Sequence, residues 1–151
     1  MFESPPNSCL MVATDTTPVL AVTDRYGAPL ADFYYLPEGS VLYIRWHGNL
    51  TAEEVIRAVS EGTQLLATCP FTRVLNDKRE TSGDWGDALP WLEYEWLPLA
   101  VAGGIRAVAY LLSPDLESQV VSQEFMDDIG RQLHTALFLH EEPARLWLAQ
   151  Q

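Results

Sequence analysis

The sequence predicts an α/β domain, a mixed sheet of five or six strands with about four helices packed on it. Three observations carry that expectation. From Pro18 onward, short β-rich segments alternate with segments of helical period. Ile105 to Leu112 (IRAVAYLL) is nearly all apolar, the pattern of a central strand covered on both faces. No repeat, low-complexity tract or linker divides the 151 residues, a length at which one core buries roughly two-thirds of the unfolded surface. Residues 1–17 are polar and lack a clear period, so we expect a loosely ordered leader there and a single domain over 18–151.

The elements follow in order. Pro18 to Thr23 (PVLAVT) and Asp32 to Leu36 (DFYYL) flank the turn signal Tyr26-Gly27-Ala28-Pro29 and read as a hairpin or edge pair. Ser40 to Gly48 alternates, with Leu42, Ile44 and Trp46 expected to face the core and Val41, Tyr43, Arg45 and His47 the other side. Thr51-Ala52-Glu53-Glu54 forms a capping box, and Leu50 and Val55 are placed for a hydrophobic staple. The helix it starts carries Ala52, Val55, Ile56, Val59 and Leu66 on one stripe and should stop near Thr68, because Pro70 disfavours helix at Cys69.

Phe71 to Asp77 is the next predicted strand, followed by a polar, glycine-containing loop from Lys78 to Trp85. A second helix is predicted over about 87–102, with Pro90 suited to its first turn and Pro98 expected to kink or break it. After Gly103-Gly104 come the strand 105–112, a helix within 114–130, a strand over 133–139 and a closing helix over 141–149.

Twenty-one acidic against nine basic residues give a net charge of −12, which repels phosphate backbones and excludes nucleic acid as an expected partner. No apolar run approaches the roughly 20 residues that span a bilayer. The short run Cys9 to Ala13 follows an acid and two prolines, a poor secretion signal, so an unexported, cytoplasmic protein is expected. Its two cysteines, Cys9 and Cys69, are expected as buried or idle thiols, with a Cys9–Cys69 bridge as the alternative.

FTRVLND, KRETSGDW, WLEYEW-LP, Gly103-Gly104, the strand ending LLSP and the terminal FLHEEPARLWL give the chain a resemblance to the STAS-like family, small α/β domains typified by bacterial anti-sigma-factor antagonists. The resemblance covers about residues 40–150 and implies a regulatory module with a kinase or sigma-regulator partner. It also implies a phosphoacceptor beside a small-residue turn. Glu80-Thr81-Ser82-Gly83 is the nearest match, which makes Thr81, with Ser82, the candidate; polar Asp84 stands where the family pattern has an apolar residue.

Read without the family, Thr81, Ser82, Asp84 and Asp87 suit helix capping. Lys78 is the sole lysine and sits beside Arg79, a cationic pair that either binds an anion or offsets neighbouring acids. Trp85, Trp91, Tyr94 and Trp96 crowd together, with Trp85, Leu89, Leu92 and Trp96 able to share one face. The candidate interaction or ligand surface is therefore Asp77, Lys78, Arg79, Asp84, Trp85, Trp91 and Tyr94.

His47, His134 and His140 lie far apart and no zinc, Walker or nucleophile-elbow spacing occurs, so neither metal, cofactor nor enzyme activity is expected. The expected function is a non-enzymatic interaction or regulatory module acting through residues 76–91. The alternative is a small-molecule or lipid binder with an aromatic pocket. Third comes an enzyme, which would need a polar cluster in a cleft, for instance Asp77, Arg79 and His47 within hydrogen-bond reach of one another. Residues 18–36 could shield the sheet edge or join a second subunit as a homodimer.

Overall fold

The computed structural model describes residues 16–151, so most of the expected leader, including Cys9, lies outside the described residues. Six strands form one sheet in sequential order: β1 (Leu20–Thr23), β2 (Pro29–Leu36), β3 (Val41–Asn49), β4 (Arg73–Ser82), β5 (Ala107–Leu111) and β6 (His134–Phe138). β1, β2 and β3 pair antiparallel, while β3 to β6 pair parallel. The predicted hairpin is present, and Asp24 shapes its turn by accepting hydrogen bonds from the backbone N–H groups of Tyr26 and Ala28 at 2.8 and 2.9 Å.

The parallel strands are joined by α1 (Ala52–Thr63), α2 (residues 89–102) and α3 (Leu116–Ile129), and α4 (Glu141–Ala149) closes the chain. Right-handed crossovers that step steadily across a sheet place their helices on one face. Val55 and Ala58 of α1, Leu92 and Leu97 of α2, and Phe125 and Ile129 of α3 accordingly share a core with Leu42, Trp46, Val74, Val108 and Tyr110. The opposite face is covered by α4, whose Ala144 and Leu148 pack on Tyr34, Tyr43, Leu75, Ala107, Ala109 and Leu111. Every residue of β5 is buried, as its apolar sequence predicts. Of the predicted capping box the N-cap bond is present, with Thr51 Oγ1 accepting from the Glu54 backbone N–H at 3.3 Å.

Three expectations are corrected. First, the polar run after Asp77 is no loop: β4 continues to Ser82, paired with β3 as far as Asn49↔Ser82. Its register shifts between Arg45↔Asp77 and His47↔Glu80, so Trp46 on β3 faces two residues, Lys78 and Arg79, on β4. Such a bulge accommodates an extra residue and re-aims side chains.

Second, of the kink or break expected at Pro98, the break is absent: the helix continues past it. α2 runs as Leu89–Trp91 in α form, Leu92–Trp96 in π form and Leu97–Ala102 in α form again, with Pro98 in the first turn of the last segment, where its missing N–H is tolerated. Third, Cys69 is disulfide-bonded and is not the idle thiol expected; the alternative expectation, a Cys9–Cys69 bridge, involves a residue outside the described ones.

Candidate functional site

Alternation along β4 sends Asn76 and Lys78 to the face that carries α1, α2 and α3, and Asp77 and Arg79 to the face that carries α4. The supposed cationic pair is therefore split by the sheet. Lys78 is 2% exposed, and its Nζ lies 3.9 Å from the ring centre of Trp85, 4.5 Å from that of Trp46 and 5.8 Å from that of Tyr110. It forms no ion pair with the described residues. Burial pushes its amine well below the ordinary lysine value.

The lysine lines a cavity of about 60 Å³ between the sheet and the helices. Phe33, Trp46, Trp85, Leu92 and Phe125 form apolar walls, and the half-buried Val59, Thr63, Leu66 and Trp96 lie nearest solvent. Leu92 and Trp96 are the first and last residues of the π-helical turn, a widening of the helix that recurs at functional sites. Gly62 is required where it stands: a Cβ there would run into the Phe33 ring.

Polar groups in the wall are few. Trp46 Nε1 donates to Asn76 Oδ1 at 2.6 Å, which uses that acceptor. Trp85 Nε1 is buried with no hydrogen-bond partner, and its ring meets Phe125 edge-on at 5.9 Å. An orphaned indole N–H costs about 1–3 kcal/mol in a protein interior. The cavity thus sets the lysine side chain among apolar walls, while the Trp85 N–H is sealed within the packing.

On the other face, Asp77 accepts from the Tyr43 hydroxyl at 2.7 Å and from Arg79 Nε and Nη2 at 3.0 and 2.8 Å. Burial raises the Asp77 carboxyl, but the bonds from Arg79 and Tyr43 outweigh it and hold the group below the usual carboxylate range. Arg79 also donates to Glu141 at 2.9 Å, tying β4 to α4. His47 does not join them; it lies 3.1 Å from Asp32 and 3.2 Å from Glu80. The cluster of Asp77, Arg79 and His47 offered as an instance for the enzyme reading is not assembled.

Thr81 is 5% exposed and its hydroxyl donates to the Lys78 carbonyl at 2.7 Å. Ser82 is half-buried and donates to Asn49 Oδ1 at 3.1 Å. Gly83, with φ +101°, donates its N–H to Asp115 at 2.8 Å, which pins the turn. Asp84 is exposed and accepts from the Gly86 N–H at 2.8 Å, an Asx turn; the helical turn that follows is capped at Trp85 with no side-chain bond, so the expected capping is not found there. Trp91 is half-buried against the core and Tyr94 is 71% exposed.

Of the candidate surface, then, only Lys78 and Trp85 meet in the cavity. Trp46 and Leu92, expected only as core positions, also line it, as does Asn76, which was not singled out from sequence. The spacing of Trp85, Leu92 and Trp96 on one helical face was the available signal. No protein-family model matches the sequence, and no curated protein is detectably similar to it. Among the described residues, no helix is long and apolar enough to cross a membrane.

Proposed function

We propose that this domain binds a compact, largely apolar small molecule that carries a hydrogen-bond acceptor. One observation supports the reading above all: Lys78, with no ion pair among the described residues, lines an apolar cavity. Small-molecule sites are apolar concavities with a few polar groups, and a ligand acceptor would give the amine the partner it lacks.

The test is titration with tetrahydrofuran and with cyclopentane, its acceptor-free analogue, followed through the tryptophan indole N–H resonances. Saturable shifts at Trp46 and Trp85, stronger with tetrahydrofuran and abolished by Val59→Phe at the cavity mouth, are expected. Linear, non-selective shifts for both probes would overturn the reading.

A second reading is the STAS-like interaction module, cytoplasmic and tied to a kinase or sigma-regulator partner. It is favoured by the groove between α2 and α3, where exposed Tyr94 and Val120 lie among Asp84, Asp87, Glu93, Glu124 and Asp128. Such an acidic rim suits a basic partner. The disulfide at Cys69 weighs against a cytoplasmic setting, where thiols are kept reduced.

A further inference from the structure

Lys78 is the sole lysine of the sequence, and nothing in the fold described above gives its amine a task. An ammonium ion buried without a counter-charge costs several kcal/mol. Each aromatic face returns only about 0.5–2 kcal/mol. Desolvation therefore wins over the rings, and the amine is shifted toward its neutral, nucleophilic form.

Two kinds of acceptor-bearing ligand could meet that amine, a carboxylate or a neutral carbonyl. The carboxylate is opposed twice, by the net charge of −12 and by its own desolvation in walls made of rings and aliphatic chains. A small aldehyde suffers neither penalty.

We propose that Lys78 Nζ captures a small apolar aldehyde in this cavity as a reversible imine. The step rests on the ligand-binding reading above and adds the covalent bond. The amine lone pair forms a C–N bond to the carbonyl carbon while the carbonyl π pair moves to oxygen. One amine proton passes to that oxygen, giving a carbinolamine. The nitrogen lone pair then forms C=N as the hydroxyl departs with the second amine proton, so the products are imine and one water. No oxidant or reductant is consumed. With about 60 Å³ available, the ligand has only a few carbons.

The experiment incubates the full chain at neutral pH with butanal and cyanoborohydride, which reduces an imine to a stable amine, and reads the intact mass and the modified peptide. Expected is one adduct on Lys78, formed at least ten times faster than on the urea-unfolded chain, and lost in both Lys78→Met and the cavity-plugged Val59→Phe. Modification confined to the α-amino group, or of Lys78 at equal rates in folded and unfolded chains, would overturn the proposal. Tetrahydrofuran titration of the same sample separates the two readings. Saturable binding without a Lys78 adduct removes the imine and leaves the pocket, whereas no binding and no adduct removes both.

Discussion

Asp77 and Lys78 are consecutive in β4, yet their side chains leave opposite faces of the sheet and never meet. Asp77 is held by Arg79 and Tyr43 beneath α4, while Lys78 sits among Trp46, Trp85 and Tyr110 beneath the other helices. One residue accepts four hydrogen bonds and the other has no counter-charge. That asymmetry separates a structural polar cluster from a reactive one, and it shapes the following expectations.

Lys78→Met should raise stability at neutral pH. The folded-state value of the lysine lies below its unfolded value, so the unfolded chain binds more protons between the two. Its contribution is least unfavourable above the unfolded value near 10.4 and worsens as pH falls toward the folded value, by about 1.4 kcal/mol per pH unit. The difference in urea midpoint between Lys78→Met and the wild type should therefore grow from pH 10 to pH 7. A difference independent of pH would contradict the burial of an uncompensated amine.

Asp77→Ala should destabilise by about 1–3 kcal/mol, because the Tyr43 hydroxyl loses its acceptor and Arg79 keeps only Glu141. Here the folded-state value is lowered, so the stabilisation is present above the ordinary carboxylate value near 3.9 and is lost as pH falls through the folded value. Acid unfolding followed by circular dichroism should show a shallower transition in the variant.

Gly62→Ala should cost about 1–3 kcal/mol, since the new methyl must displace the Phe33 ring. The ring borders the cavity, so its displacement should also weaken tetrahydrofuran binding. Unchanged thermal stability would show that the approach of α1 to β2 is looser than described.

Thr81 and Ser82 should respond differently to charge. Thr81→Val should cost about 1 kcal/mol for the lost bond to the Lys78 carbonyl, and Thr81→Glu clearly more, because it buries a carboxylate. Ser82→Glu, at a half-buried position, should change the melting temperature little. A native kinase substrate in this turn is therefore expected at Ser82; stoichiometric phosphate on Thr81 of the folded chain would contradict the burial.

The sequence by itself determined the α/β class, the capped first helix, the buried fifth strand and the closing helix, because each is written in local period and capping chemistry. Thr51 with Glu54, and the unbroken run from Ala107 to Leu111, need no distant partner to be read. Only the tertiary structure decided the nature of residues 78–82. Their composition is that of a loop, but pairing with β3 and the bulge opposite Trp46 hold them as strand. That pairing turned Lys78 toward α1, α2 and α3, and Asp77 and Arg79 toward α4. A β-strand assigns faces by its register with its neighbours, and register is a property of two segments that lie far apart in sequence. The cavity follows from the same cause, since Trp46, Lys78, Trp85 and Trp96 come from separate elements and share a site only once sheet and helices are packed.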